Sequence, residues 1–227
     1  MKSYLAIAFS GALASAGTAA TIVQSGNFSY VPDGSQTLNF NQFDSNLGTL
    51  IGITITTNLV KSGGSLFVDN DALTPASGVV SQTVRIDLTS ANTLLDSSFQ
   101  TIGDNIAASS FYSASVTADD GDGAGYQAGG TDNDGTFFSN VNASDTGNVH
   151  SLFFSQYTGN GTYSITVTGI QSISTSAVSG ASGSFDPALA SGDVTVTYTY
   201  SPVVPVPEPS ASLLGGIGVL CLLRRRR

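Results

Sequence analysis

The chain has 227 residues, sixteen acidic against seven basic, a formal charge of −9, with one histidine, one cysteine and no tryptophan. That balance excludes a nucleic-acid or anionic-lipid surface, since both need clustered lysine and arginine. A single histidine and a single cysteine likewise leave too few nitrogen and sulfur ligands for a transition-metal centre.

The N-terminus reads as a secretory signal peptide over residues 1–20. Lys2 gives the positive start, residues 4–14 the apolar stretch, and Ala14-Ser15-Ala16 or Thr18-Ala19-Ala20 the small-residue cleavage site, with cleavage after Ala20 preferred. Between residues 21 and 206 two bases, Lys61 and Arg85, face fifteen aspartates and no glutamate, a formal charge of −13 without any cysteine. Such a segment repels acidic polysaccharide unless divalent cations bridge the two. It is long enough to bury one sizeable core without disulfides.

The body reads as strands. Tyr163, Ile165 and Val167 alternate with Ser164, Thr166 and Thr168, and Val194, Val196, Tyr198 and Tyr200 alternate with Thr195, Thr197 and Thr199. Each is the period-two pattern of a half-buried strand. Further strands are predicted at 36–43, 49–58, 65–68, 79–88, 99–102, 110–117, 150–157 and 171–178, with Asn39, Asn41 and Gln42 facing solvent. No window between the termini carries a 3.6-residue apolar stripe. The predicted fold class is all-β: a single antiparallel β-sandwich or jelly-roll-like domain over residues 21–201, flanked by an N-terminal signal helix and a C-terminal hydrophobic helix.

Phe43-Asp44-Ser45-Asn46-Leu47-Gly48-Thr49-Leu50, continued by Ile51-Gly52-Ile53-Thr54-Ile55-Thr56, resembles the opening of the choice-of-anchor E domain, and Val194 to Tyr200 fits its close. The resemblance implies a β domain over most of residues 21–201 and no particular activity. Read physically, Phe43 and Leu47 are expected in the core, Asp44 at a turn or cap, and Gly48 at a positive φ.

Candidate chemistry is concentrated in Asp119-Asp120-Gly121-Asp122-Gly123-Ala124-Gly125 and Gly129-Gly130-Thr131-Asp132-Asn133-Asp134-Gly135. Calcium takes six to eight oxygen ligands on a loop that bends around it, which alternating Asp and Gly provide. Asp119, Asp120, Asp122, Asp132 and Asp134 are therefore the candidate metal ligands, with calcium the candidate ion. The EF-hand spacing fails at Ala124 and Thr131, and a plain acidic hairpin loop is the competing reading. Asp69-Asn70-Asp71 reads as a turn that joins the same ion only if the fold brings the loops together.

Catalytic groups are scarce: His150 stands alone, and no serine lies in a Gly-x-Ser-x-Gly elbow. Paired aspartates of a glycosidase type arise by chance among fifteen. No enzymatic activity is expected.

The tail divides into a Pro-rich linker, 202–210, containing Pro207-Glu208-Pro209, and an apolar span with a basic end, 211–227, closing on Arg224, Arg225, Arg226 and Arg227. The span is shorter than the roughly 20 residues of a full crossing, and the arginines hold its end inward. This order resembles the PEP-CTERM sorting signal. The resemblance implies transient membrane anchoring, signal peptidase and an exosortase as partners, and release at the cell surface or beyond. The expected function is a non-catalytic surface or extracellular-matrix protein associated with exopolysaccharide. The alternative is a calcium-dependent carbohydrate-binding or adhesion module.

Overall fold

The structure, a computed structural model, describes residues 18–175, 178, 180–203 and 224. The two terminal helices expected from the sequence lie outside these residues, Arg224 excepted. Eleven strands follow in order: β1 Ala20–Tyr30, β2 Gly34–Asn41, β3 Gly48–Ser62, β4 Ser65–Asn70, β5 Ala76–Ser90, β6 Ile106–Val116, β7 Asn133–Phe137, β8 Val141–Asn148, β9 Thr162–Ser174, β10 Ala181–Asp186 and β11 Leu189–Pro202. The strands pair antiparallel throughout and form three sheets, ordered β1-β11-β3-β8, β2-β9-β5-β6 and β10-β4-β7.

The first and third sheets share their chain path. β3 runs through Gly63-Gly64 into β4, β10 runs through residues 187–188 into β11, and β7 runs through 138–140 into β8. The same neighbours persist across each break, with β3 beside β8 and β11, and β4 beside β7 and β10. Period-two alternation then turns Ile53, Ile55 and Leu59 of β3 and Val194, Val196 and Tyr198 of β11 toward Val84 and Ile86 of β5 and Ile165 and Val167 of β9. Each of these side chains contributes about 1.5–3 kcal/mol by leaving water. Leu66 and Val68 pack with Val80, Ala114, Val116 and Phe138 in a smaller second core.

Burial holds the Tyr157 and Tyr163 phenols well above the usual tyrosine range. Both therefore stay neutral and behave as core residues with a hydrogen-bonding tip: Tyr157 donates to the Thr93 carbonyl at 2.8 Å, and the Tyr163 hydroxyl lies 3.1 Å from that of Tyr198.

Between the cores lies a polar layer. Lys61, fully buried, donates to the Gly63 carbonyl at 3.1 Å and to Ser110 Oγ at 3.0 Å, with its ammonium 4.8 Å from the Phe138 ring centroid. Gln82 donates to the Asp186 carbonyl at 2.8 Å, and Ser65 Oγ to the Asp186 carboxylate at 2.7 Å. Strand breaks leave backbone carbonyls without a ladder partner, and these side chains satisfy them. Burial pushes the Lys61 ammonium below its ordinary value. No carboxylate of the described residues forms an ion pair with it, so desolvation of the charge opposes the two hydrogen bonds. Lys61→Met is accordingly expected to melt at or slightly above the parent temperature, whereas Lys61→Ala, which also empties the stem volume, loses about 2–4 kcal/mol. Thermal denaturation followed by circular dichroism separates the two, and a Met variant less stable than the Ala variant would contradict this reading.

Several expectations are corrected. Residues 99–102 form no strand: Asp96 Oδ1 accepts from the Ser98 and Gln100 amides and closes a turn, with Phe99 at φ 59°. Residues 151–157 form a 3-10 helix, Ser151–Tyr157, because His150 Nδ1 accepts from the Leu152 amide at 3.1 Å and caps it. Leu47 is exposed on the 3-10 turn Ser45–Leu47, while Phe43 is buried, Asp44 caps that turn through the Asn46 amide, and Gly48 has φ 152° with β11 backbone where a Cβ would stand. Asn39 and Asn41 are exposed, but Gln42 is half-buried and donates to the Gln156 carbonyl at 3.1 Å.

Candidate functional site

The loop between β6 and β7 is anchored by the end of β4. Asn70, with no exposed surface, donates through Nδ2 to the Thr74 and Thr117 carbonyls and accepts from the Ala72 amide at 3.1 Å. Its own amide donates to the Asp132 carbonyl at 3.2 Å, and the Asp119 amide to the Ala72 carbonyl at 2.9 Å. The flanking aspartates hold the middle of the loop: Asp69 Oδ2 accepts from the Gln127 amide at 2.6 Å and Asp71 Oδ1 from the Gly125 amide at 2.9 Å. The two acidic segments, fifty residues apart in sequence, thus meet at one pole.

There Asp119, Asp120, Asp122 and Asp132 each turn a carboxylate oxygen inward, all four lying within 4.8 Å of one another. Asp120 Oδ2 accepts from the Thr131 amide at 3.0 Å, and Asp132 Oδ2 from the Asp120 amide at 3.2 Å. The other Asp132 oxygen, Oδ1, has no hydrogen-bond partner although the residue is only 1% exposed. A buried acceptor left so costs about 1–3 kcal/mol, and more when charged. Partial desolvation raises the Asp122 carboxyl above its usual range, and the charges of Asp120, Asp69, Asp132 and Asp119 raise it further. A raised carboxyl favours the folded state when protonated. Its stabilising contribution is therefore present at low pH and is lost as the pH rises from the ordinary carboxylate range through the raised value.

Asp134, the fifth predicted ligand, lies outside the group. It pairs with Val68 in the sheet, which turns it toward β6, where Oδ1 accepts from the Tyr112 hydroxyl at 2.7 Å and Oδ2 from the Ser115 amide at 2.8 Å. The fold does bring Asp69 to the same pole: its charge acts on Asp122, and its own Oδ1 is buried without a partner. Its place could not be read locally, because it depends on the pairing of Asp69 with Asn133.

Aromatic rings lead away from the acids along the third sheet, ending at Phe137, which pairs with Ser65. Phe67 stands 6.5 Å from Tyr126 and 5.4 Å from Phe137 between centroids. Phe137 and Phe111 are 76% and 68% exposed, and both line an open groove of about 400 Å³ with Tyr112, Thr136 and Phe138. His150 lies elsewhere, stacked on Phe99 at 5.0 Å.

The pole is opposite the tail. β11 begins at Leu189, paired with Ser62 next to the third sheet, and ends at Pro202, paired with Gly48. Its fourteen residues span about 45 Å at roughly 3.3 Å each. Ala20 pairs with Tyr200, so both ends of the domain leave at that far end.

Residues 205–227 match the PEP-CTERM protein-sorting motif. The match spans Pro207, Glu208, Pro209 and Arg224 to Arg227, and it supports an exported, exosortase-processed protein of the cell surface or extracellular space. No curated protein matches the sequence. Among solved structures, the T13 particle of infectious bursal disease virus shares 13% identity over 88% of this chain and 40% of that one, with a TM-score of 0.20. The Gx strain of the same virus shares 12% over 83% and 38%, also at 0.20. The chain thus spans about two fifths of these proteins, and likenesses this weak carry no structural argument.

Proposed function

We propose that this is a non-catalytic protein of the cell surface or extracellular matrix, exported by way of its N-terminal signal segment, cut by signal peptidase and exosortase, and associated with extracellular polysaccharide. The observation that carries the reading is the sorting motif at 205–227 joined to the opposite end of the β domain from its acidic pole. Anchored or released through that tail, the domain presents the acidic loop at its far end and the exposed Phe111 and Phe137 on its side. The Phe43–Thr56 segment and the closing strand β11 support placing the domain with the choice-of-anchor E family.

Exposed aromatic faces suit the apolar faces of sugar rings, and the acid cluster suits a cation-bridged acidic chain. Affinity electrophoresis through gels containing dextran or alginate, with and without calcium, tests this. Retardation is expected, and a Phe111→Ala, Phe137→Ala double variant is expected to weaken it about tenfold, the scale of one lost anchor. Parent mobility unchanged by both polymers would contradict the polysaccharide reading. The second reading, calcium-dependent adhesion, is favoured by the unpartnered Asp132 oxygen.

A further inference from the structure

We infer that Asp119, Asp120, Asp122 and Asp132 together bind one calcium ion, seated beside Gly130 against the buried Oδ1 of Asp132. Four features converge there. Oxygens sharing one calcium at 2.3–2.6 Å lie no more than about 5 Å apart, and the four carboxylates meet that limit at 4.8 Å without moving. Asp132 Oδ1 is inside the protein and receives no donor from it, so its partner has to come from elsewhere.

The third feature is the space at Gly130. A Cβ built there would stand 2.5 Å from Asp132 Oδ1, 3.0 Å from Asp120 Oδ2 and 3.5 Å from Asp122 Oδ2. Three carboxylate oxygens from three residues thus surround one small volume. Gly130 is not among the positive-φ glycines, so its backbone does not demand glycine. The space does.

The fourth feature is charge. Among the described residues no lysine or arginine forms an ion pair with the group, so four carboxylates gathered within 4.8 Å repel one another. A dication cancels that repulsion. An all-oxygen set selects a hard cation, and magnesium, at 2.0–2.1 Å in a strict octahedron, would require the four oxygens to draw closer together. Asp69 and Asp71 play a different part. Their oxygens hold the Gln127 and Gly125 amides and so fix the loop that carries all four ligands.

The inference is tested by isothermal titration of calcium chloride into the chelator-treated full chain, with thermal denaturation alongside. One site per chain is expected, in the 10⁻⁴–10⁻³ M range or tighter typical of extracellular modules, together with a rise in melting temperature and at least tenfold weaker magnesium binding. Gly130→Ala keeps every carboxylate but sets its Cβ 2.5 Å from Asp132 Oδ1, which displaces that oxygen, and is expected to weaken calcium at least tenfold. Asp122→Asn changes an exposed side chain, so folding is not at risk. It is expected to weaken calcium while raising the melting temperature of the calcium-free protein, two opposite signs that a merely structural role would not give. Asp134→Asn is expected to bind as the parent does. No heat and no thermal shift with calcium would overturn the inference, as would parent-like affinity in both Gly130→Ala and Asp122→Asn.

Discussion

Replacing Asn70 by alanine is expected to lower the melting temperature by about 6–12 °C. The side chain is fully buried and makes three hydrogen bonds, two to the carbonyls of Thr74 and Thr117 and one from the amide of Ala72. Each bond is worth about 1 kcal/mol net. For a domain of this size each kcal/mol moves the midpoint by roughly 2–4 °C. The loss is also local in origin, because the three partners belong to the β4–β5 connection and to the start of the acidic loop, the two segments that Asn70 ties together. Asn70→Asp is expected to be worse. It replaces both donations with an acceptor facing two carbonyls, and it adds a buried charge between Asp69 and Asp71. Thermal unfolding of the two variants beside the parent provides the check: a midpoint for Asn70→Ala within a degree or so of the parent would mean that the pole is held by something other than this residue.

The second large effect concerns the tail. Changing Pro207, Glu208 and Pro209 to alanine removes the element that names the matched motif. The exported protein is then expected to stay uncut and membrane-bound, where the parent is processed. Stability of the domain is expected to be unaffected. β11 ends at Pro202 before the element begins, and its ladder to β1 and β3 is complete without it. Immunoblots of membrane and released fractions report the first effect and thermal unfolding the second. Processing of the alanine variant at the parent level would remove the motif from the account.

Strands buried on one face were legible in the sequence, because burial imposes alternation. Ile53 and Ile55 in β3, Val84 and Ile86 in β5, Ile165 and Val167 in β9, and Val194 and Val196 in β11 all point inward as their period requires. The strands absent from the sequence reading are β1, β7, β8 and β10, each at the edge of its sheet. β7 and β8 are made largely of Asn, Asp, Gly, Ser and Thr. They are strands because β3 and β4 present them with ladders, a tertiary cause that outweighs weak local propensity.

The candidate site divides along the same line. Asp119, Asp120, Asp122 and Asp132 could be read from the spacing of acids and glycines. Asp134 lies outside the cluster because it already belongs to β7, where its direction is set by its pairing with Val68. Asp69 could be read only conditionally, as a turn beside the ion if the fold joins the loops, and Gly130 not at all. One depends on strand register, and the other on a space that exists only once the loop has closed.

Intact mass spectrometry of the protein recovered from the cell surface or medium of an exosortase-containing host tests the central claim most directly. The account predicts a single mature species beginning near Thr21 and ending near the Pro207-Glu208-Pro209 element, carrying whatever group the exosortase reaction leaves at its new end. A mass that still includes the apolar span and the four arginines would contradict it.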